Sequence, residues 1–324
     1  MGLGVRVALV GLGGTIAITG SDAAGVARGR AVTELLGELP GSGVEVEAVD
    51  VRMLPGSALT FDDLVEVAGT VRERLDAGAQ GVVVTQGTDT IEETAYFLDL
   101  LHHGGEPVVV TGAMRGPRLE GDDGPANLLA AVRTAASPAA RELGCLVVFG
   151  DEIHAASRVR KTHASSIATF MSPNGGPLGY VVEGMPRILN RPTTRAVVPP
   201  PSRRWPRVAF VTATFGAPFD LTTTGRLDGL VVAGFGVGHV PPTWIPVLAD
   251  LAGRIPVVLS SRTGAGAVHA AMYDYAGSER DLRRRGLIPA GFLHPYKARI
   301  LLLLALAGGL DRDAIAAVFA DAGR

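Results

Sequence analysis

The chain has 324 residues, of which 47% are hydrophobic and only 19% charged. At roughly 150 residues per domain, this length predicts two domains with sizeable cores and excludes a single small module. The composition also excludes intrinsic disorder. Lys plus Arg total 30 against 32 for Asp plus Glu, and the net charge of -2 provides no basic field for nucleic acid or anionic lipid. We therefore expect a small-molecule partner.

The chain has one cysteine, Cys145, which cannot form an intramolecular disulfide, and its seven histidines show no zinc-binding spacing. A reducing cytoplasm fits this usage best. The first residues enter an apolar run without a cleavable signal sequence, and the longest apolar stretch, residues 300–307, is far shorter than the roughly 20 residues that span a bilayer. These features predict a soluble cytoplasmic protein without a metal site.

Short apolar runs rich in β-branched residues recur along the chain, and buried parallel strands have this pattern because both faces of their sheet are covered. The runs are residues 5–10, 44–51, 82–85, 108–111, 145–149, 208–212, 229–233 and 255–259. Stretches with helical spacing lie between them, at residues 91–101, 125–136, 244–252 and 295–307. This alternation predicts an α/β fold with parallel sheets.

A proline-rich segment interrupts the alternation at residues 191–206. Such segments are stiff, extended and poor at hydrogen bonding, so we predict a linker there between an N-terminal domain of residues 1–190 and a C-terminal domain of residues 207–324. Within the first domain, residues 151–176 lack a clear period and are rich in Ser, Thr, His and Arg. A polar insert of that length in a compact domain is usually functional or mobile.

The first predicted strand leads into a glycine-rich turn that ends in Gly13-Gly14-Thr15. Nucleotide binding is disfavoured, because a dinucleotide fingerprint needs glycine where Ile16 stands and a phosphate-binding loop needs Gly-Lys before a hydroxyl. Glycines at the end of a parallel strand let the backbone approach a small ligand closely, and they would present the Thr15 hydroxyl to it. On pattern alone, Thr15 could equally cap a turn.

A second polar turn follows the apolar run at residues 82–85 and contains Thr88, Asp89 and Thr90. Because parallel strands end at one edge of the sheet, Thr88 and Asp89 would lie near Thr15. The structural alternative is that Asp89 or Thr90 caps the following helix, with a glutamate of its first turn completing a capping box.

Lysine usage singles out Lys161. The chain has only two lysines, Lys161 and Lys297, and otherwise relies on arginine for positive charge. A desolvated lysine can exchange a proton whereas arginine stays protonated, so Lys161 is a candidate for proton chemistry. The alternative is a solvated surface lysine. Ser57, in a turn after residues 44–51, is a further candidate for a ligand contact.

Two threonine motifs and a lysine motif therefore occur in order: Gly13-Gly14-Thr15-Ile16-Ala17, Gly87-Thr88-Asp89-Thr90 and Lys161-Thr162. Together with residues 92–98, 112–115, 123–128 and 176–180, they resemble the bacterial-type L-asparaginase family, also called asparaginase/glutaminase. Residues 260–262 and 295–299 extend the match into the second domain. Two threonine motifs followed by the lysine are specific to this family, and the match covers nearly all of the first domain.

The resemblance implies a larger flavodoxin-like N-terminal domain and a smaller C-terminal α/β domain. It also implies hydrolysis of L-asparagine to L-aspartate and ammonia through an acyl-enzyme, without metal or organic cofactor, and L-glutamine is a second candidate substrate. Thr15 would be the nucleophile, and Thr88 would form a second hydroxyl centre with Asp89 and Lys161. The substrate-binding residues would be Gly14, Ser57, Thr88, Asp89 and His239.

Family members are typically homotetramers whose active sites lie between the first domain of one chain and the second domain of its neighbour. His239 stands where an asparagine of the neighbouring chain often reaches the substrate, and no acidic residue after Arg262 clearly matches the one that often follows. Gln86 stands where many members have histidine. Family enzymes also often carry a tyrosine in the mobile loop after the nucleophile, here about residues 19–30, but no tyrosine precedes Tyr96.

Two other functions fit parts of the sequence. A non-catalytic amino-acid sensor would keep the asparaginase pocket but lack a loop that activates the nucleophile. The missing loop tyrosine favours this function, but the chain retains all four predicted catalytic residues, Thr15, Thr88, Asp89 and Lys161, which counts against it. The amidase subunit of a tRNA-dependent amidotransferase would ordinarily need an extra N-terminal domain and a partner, whereas the first strand begins at Val5. We therefore predict an L-asparaginase.

Overall fold

The computed structural model describes residues 4–21, 27–29, 31–35, 43–221 and 225–324. The chain divides into two compact units, Met1–Thr193 and Thr194–Arg324, called unit 1 and unit 2 below. The division falls within the proline-rich segment, where residues 191–206 contain no helix or strand. The domain limits 1–190 and 207–324 stay a prediction.

Unit 1 is built around a mixed β-sheet. The strands of unit 1 are β1 (Arg6–Gly11), β2 (Ile18–Ser21), β3 (Ala27–Gly29), β4 (Glu45–Asp50), β5 (Gly81–Thr85), β6 (Val108–Thr111), β7 (Cys145–Phe149), β8 (Glu152–Ala155), β9 (Arg160–Lys161), β10 (Phe170–Met171), β11 (Gly179–Val182) and β12 (Met185–Ile188). Its helices are α1 (Val32–Leu35), α2 (Phe61–Asp76), α3 (Ile91–Leu101) and α4 (Gly124–Ala135). The main sheet has the strand order β12-β11-β8-β7-β6-β5-β1-β4.

The central strands β4, β1, β5, β6 and β7 pair in parallel, as the apolar runs predicted. The valines of β1, β5, β6 and β7 are buried on both faces, since Val83 packs with Leu128 of α4 and Val84 packs with Leu98 of α3. The predicted α/β class is confirmed. The sequence did not predict the antiparallel edge of β8, β11 and β12, nor the β9–β10 hairpin within the polar insert.

Helix α2 begins with a capping box that anchors the chain after β4. The Thr60 hydroxyl accepts from the backbone N–H of Asp63 at 3.2 Å, and the Asp63 carboxylate accepts from the Thr60 backbone N–H at 2.8 Å. Arg52 also donates to Asp63 at 2.6 Å. The bonds from the hydroxyl and backbone of Thr60, followed by that from Arg52, lower the pKa of Asp63 to about 2.

Unit 2 has a parallel sheet of β13 (Val208–Thr212), β14 (Gly229–Gly234), β15 (Val257–Ser261) and β16 (Ile288–Pro289), in that order. Its helices are α5 (Ile245–Ala252), α6 (Glu279–Arg284), α7 (Pro295–Ala307) and α8 (Arg312–Ala322). Its core includes Leu230, Trp244 and Leu259. Strand β15 starts two residues later than predicted. In the part of the chain that the structure describes, no helix is long and apolar enough to cross a membrane.

Candidate active site

The turns that follow β1, β4 and β5 meet at three glycines. Gly14 has a φ of +82°, and a Cβ atom at this position would lie 2.1 Å from the backbone nitrogen of Gly87. A Cβ atom on Gly56 would lie 2.9 Å from both the carbonyl oxygen of Gly87 and Oγ1 of Thr90. Only glycine permits contacts this close. They bring the turn that carries Thr15 against the turns that carry Ser57 and Thr88.

Thr15 opens a short 3₁₀ turn, Thr15–Ala17, and its side chain is half-buried. The segment after β6 lies against it, because a Cβ atom on Gly116 would be 3.7 Å from the Thr15 methyl carbon. The next side chain, Ile16, is buried and anchors the turn in the core. The alternative that Thr15 caps a turn stays a prediction.

Lys161 contacts both members of the second threonine motif. Its Nζ atom donates to Oγ1 of Thr88 at 3.0 Å and to Oδ1 of Asp89 at 2.8 Å. The Lys161 side chain is only 14% exposed, which rules out the solvated surface lysine. The β9–β10 hairpin positions it, since Lys161 pairs with Phe170 in this hairpin. The structure thus brings together three of the predicted catalytic residues.

The polar turn does not cap the helix that follows it. Thr90 stands at the N-cap of α3 but makes no side-chain capping bond, and its hydroxyl donates instead to the carbonyl of Gly56 at 3.0 Å. The buried Gln86 amide braces the same turn by donating to the carbonyl of Gly87 and to Oγ1 of Thr90, both at 3.2 Å. The capping box that the sequence offered as an alternative is therefore wrong, and the turn holds Thr88 and Asp89 toward Lys161.

The segment after β6 is held by Asp123 and Asn127. The Asp123 carboxylate accepts from the backbone N–H groups of Met114 at 3.1 Å and Arg115 at 2.8 Å. The Asn127 amide donates to the carbonyl of Gly112 at 3.0 Å. These bonds give a structural role to two of the motifs on which the resemblance depends.

Both units match models of asparaginase domains. Residues 6–194 match "Asparaginase, N-terminal", and residues 207–319 match "Glutaminase/Asparaginase C-terminal domain". The chain belongs to the bacterial-type asparaginase family. It is 39% identical to the probable L-asparaginase of Deinococcus radiodurans, over 97% of each chain. It is 36% identical to the L-asparaginase of Bacillus licheniformis, over 93% of this chain and 95% of that one.

The fold agrees with a solved member of the asparaginase family. The crystal structure of the probable cytoplasmic L-asparaginase of Campylobacter jejuni superposes with a TM-score of 0.83 at 31% identity, covering 98% of this chain and 99% of that chain. The protein is thus an enzyme of the L-asparaginase class.

Two further parts of the asparaginase resemblance are Ser57 and the predicted mobile loop. Ser57 is exposed in the 3₁₀ turn Gly56–Ala58, next to the glycine contacts. The predicted mobile loop, residues 19–30, falls partly outside the described residues, which omit 22–26 and 30. Across the described ranges, no three His, Cys, Asp or Glu side chains form a group that could hold a metal ion.

His239 belongs to unit 2, where it is part of a polar cluster with Glu279 and Tyr275. Its Nε2 atom lies 3.1 Å from Oε2 of Glu279, and its Nδ1 atom lies 2.8 Å from the hydroxyl oxygen of Tyr275. Glu279 is fully buried and accepts from the backbone N–H groups of Met272 and Tyr273, each at 2.8 Å. Burial alone would raise the pKa of Glu279, but the bonds from the Tyr273 backbone and His239 lower it overall.

Sequence reasoning missed Tyr275 and Glu279. Glu279 begins helix α6 after Ser278, so by pattern it is an ordinary acidic residue of a helix start. Its hydrogen bond to His239 joins residues that are 40 positions apart, and the spacing of neighbouring residues does not predict contacts at that separation.

Proposed function

We propose that the protein hydrolyses L-asparagine to L-aspartate and ammonia through an acyl-enzyme formed on Thr15. The observation that carries the proposal is the bonding of Lys161 to Thr88 and Asp89 on a turn packed against the Thr15 turn. A binding protein has no need of a shielded lysine that can move protons. The descriptions of the relatives from Deinococcus radiodurans and Bacillus licheniformis as L-asparaginases support the substrate.

In the proposed first step, Oγ1 of Thr15 attacks the carbon of the substrate's side-chain amide. The carbon–nitrogen bond breaks, and ammonia leaves with a proton. Lys161 donates a hydrogen bond to Oγ1 of Thr88, so the Thr88 hydroxyl proton is free to pass to the leaving nitrogen. A proton from Lys161 then takes the place of the proton that Thr88 has lost. Water then hydrolyses the Thr15 ester to L-aspartate, returning a proton to Lys161 through Thr88.

The substrate's charged ends would be bound by complementary groups of the same turns. Asp89 is 70% exposed on its side chain although it contacts Lys161, so its carboxylate remains open to the α-ammonium group. The Ser57 hydroxyl, the Thr88 hydroxyl and the N–H groups of the turn at Gly14 would bind the α-carboxylate. His239 would contact the substrate from a neighbouring copy in a homotetramer, or at least a homodimer.

The competing function is an amino-acid sensor that binds but does not turn over its ligand. It would be supported by asparagine binding without ammonia release.

We also propose that L-glutamine is a poorer substrate than L-asparagine. We further propose that the protein acts in the cytoplasm, as the description of its Campylobacter jejuni neighbour indicates for that protein.

The test is ammonia release by purified, chelator-treated protein with L-asparagine, L-glutamine and close amides at neutral to alkaline pH. We expect release from asparagine without added metal, and slower or no release from glutamine. No release from any of these amides would overturn the enzymatic proposal in favour of the sensor. Sedimentation of the active species tests the assembly, and a fully active monomer would refute it.

A further inference from the structure

Unit 2 contains a cavity of about 590 Å³ that is lined mainly by residues of α6, β16 and α8. Four of the lining residues are arginines, Arg280, Arg283 and Arg284 of α6 and Arg312 of α8. Among the lining residues, which all belong to the described part of unit 2, Asp313 is the one carboxylate. The chain as a whole has a net charge of -2, so a generally basic composition does not explain this concentration of positive charge.

The three arginines of α6 lie on one face of the helix. Their spacing of three and four residues brings side chains together on a helix surface, and like charges at that spacing repel one another. The negative end of the helix dipole stabilises Arg283 and Arg284 in the last turn, but Arg280 lies in the first turn, where the dipole disfavours a cation. The stability of the helix therefore does not account for this face, whereas a bound anion would offset the repulsion between its arginines.

The carboxylates nearby do not neutralise these arginines. Oδ1 of Asp274 lies 2.5 Å from Nη2 of Arg284, and Oδ2 of the same carboxylate lies 3.4 Å from Nη1 of Arg280. Two guanidinium groups thus share one negative charge. Arg283 and Arg312 bond to backbone carbonyl groups instead, and no described carboxylate forms an ion pair with either of them. Positive charge therefore remains at the cavity for a ligand.

Backbone carbonyl groups hold these two guanidinium groups in place. Arg283 donates from Nη1 to the carbonyl oxygen of Ala270 at 2.6 Å. Arg312 donates to the carbonyl oxygen of Ala252, at the end of α5, at 2.5 Å and to that of Gly286, after α6, at 2.8 Å. Because an arginine has five N–H donors, most donors of both side chains remain available to a ligand. Side chains that are already held in place lose little conformational freedom when a ligand binds.

The remaining lining indicates the class of ligand. Guanidinium groups match the oxygens of both phosphates and carboxylates. A terminal phosphate carries nearly two charges and three acceptor oxygens, so it can bond to arginines of two helices at once, whereas a carboxylate has one charge and two oxygens. Besides Gly286 and Asp313, the other lining residues are apolar: Ala270, Leu287, Ile288, Pro289, Ala316 and Ala320. Cavities of this volume hold organic molecules, and these residues offer a surface for an organic group.

We propose that this cavity binds an organic di- or triphosphate, whose phosphate groups contact the four arginines and whose organic group lies on the apolar lining residues. The site goes beyond the proposed hydrolysis of asparagine and consists of unit 2 residues only. A ligand that binds the folded protein stabilises it, so binding should raise the midpoint of thermal unfolding. Higher salt should weaken the binding because it screens the charges of exposed arginines.

The first experiment measures the affinity of the purified protein for ATP, inorganic triphosphate and citrate by titration calorimetry, without divalent metal and at about 0.15 M salt. We expect ATP to bind more tightly than triphosphate, because only ATP has an organic group for the apolar lining residues. Citrate, which carries carboxylates, should bind most weakly. Failure of both ATP and triphosphate to bind would overturn the proposal. Tighter binding of citrate would overturn the choice of phosphate, and equal affinities for ATP and triphosphate would overturn the role of the organic group.

The second experiment compares Arg283→Gln with Arg254→Gln. The latter is the matched control, because Arg254 is an exposed arginine of unit 2 that does not line the cavity. We expect Arg283→Gln to weaken ATP binding by roughly 10- to 100-fold, the effect of losing one charge-assisted hydrogen bond, and to reduce the rise in unfolding midpoint that ATP causes. Arg254→Gln should keep both at the wild-type level.

Circular dichroism shows whether each variant folds, and Arg280→Gln is a second cavity variant that should weaken ATP binding in the same way. Equal ATP affinities in the cavity variants and in Arg254→Gln would overturn the site. Ammonia release plays no part in these measurements. An inactive protein that binds ATP in this pattern would therefore overturn the proposed function and support the anion site.

Discussion

The Nζ atom of Lys161 lies 2.8 Å from Oδ1 of Asp89, although Asp89 is 70% exposed and Lys161 only 14%. The lysine is thus shielded from water while its carboxylate partner faces the solvent. One oxygen of Asp89 holds the lysine in place, and the exposed side of the carboxylate remains available to a cationic ligand. Under the proposed mechanism, this asymmetry would let Asp89 both position Lys161 and bind the substrate's ammonium group.

Replacing Lys161 by arginine distinguishes proton transfer from simple positive charge. Arginine keeps the charge beside Asp89 but does not deprotonate under protein conditions. We expect Lys161→Arg to lose kcat almost as severely as Lys161→Ala, by roughly 10²- to 10⁴-fold, while both variants still bind aspartate. The measurement is turnover at saturating asparagine. Near wild-type turnover of Lys161→Arg would leave the lysine as an electrostatic support only.

The Gly14 position should not accept a side chain. A Cβ atom there would lie 2.1 Å from the backbone nitrogen of Gly87, and the φ of +82° is itself unfavourable for alanine. We expect Gly14→Ala to separate the two threonine turns. The fractional loss of activity should exceed the fractional loss of folded structure that circular dichroism measures. Gly69→Ala is the matched control, since Gly69 lies within α2 with nothing within 4 Å of the added Cβ atom. It should keep full activity and gain about 0.5–1 kcal/mol of stability.

The capping box of α2 should make stability depend on pH in acid. The pKa of Asp63 is about 2 in the folded protein against an ordinary value of 3.8, so its ionised form stabilises the fold above the higher value. That contribution is lost as the pH falls from 3.8 toward about 2. Asp63→Asn should lower the free energy of unfolding at pH 7 by about 1 kcal/mol and reduce this acid dependence.

Denaturant titrations of wild type and Asp63→Asn at pH 7, 4 and 3 measure the effect of the capping box. The adjacent Asp62→Asn variant is the control, because Asp62 lies in the same helical turn but outside the capping box. An equal acid dependence in wild type and Asp63→Asn would contradict the assignment.

Local patterns predicted the central sheet and the Thr15 and Thr88 turns because parallel strands need continuous apolar runs and their ends share one edge. The bounds of α3 and α7 agree with the predicted residues 91–101 and 295–307. The antiparallel edge strands β11 and β12 were missed because they are short and only partly buried.

Local patterns do not predict contacts between residues that are distant in sequence. The contact of Lys161 with Thr88 spans 73 residues. The sequence indicated Lys161 only because lysine is rare in this chain and because the residue lies in a family motif. The cluster of His239, Tyr275 and Glu279 has no such signal. His239 and Tyr275 lie in two separate loops and Glu279 is the first residue of α6, and the short-range pattern around each one is that of an ordinary turn or helix start.

The identity of the nucleophile can be decided between the two threonines. Oγ1 of Thr88 accepts a hydrogen bond from Lys161, and a hydroxyl oxygen whose lone pair is held by an ammonium group is a poorer nucleophile. No such donor contacts Thr15 among the described residues, and its side chain lies beside the segment after β6. We therefore expect the aspartyl ester on the peptide that contains Thr15 when the enzyme is mixed with asparagine, quenched with acid and digested.

Thr15→Ala should lose the ester and nearly all turnover, whereas Thr15→Ser, which keeps the hydroxyl, should retain both in part. Thr88→Val keeps the nucleophile but removes the path from Lys161, so its ester should form slowly and still appear on the Thr15 peptide. An ester on the peptide that contains Thr88, or one that persists in Thr15→Ala, would exchange the roles of the two residues.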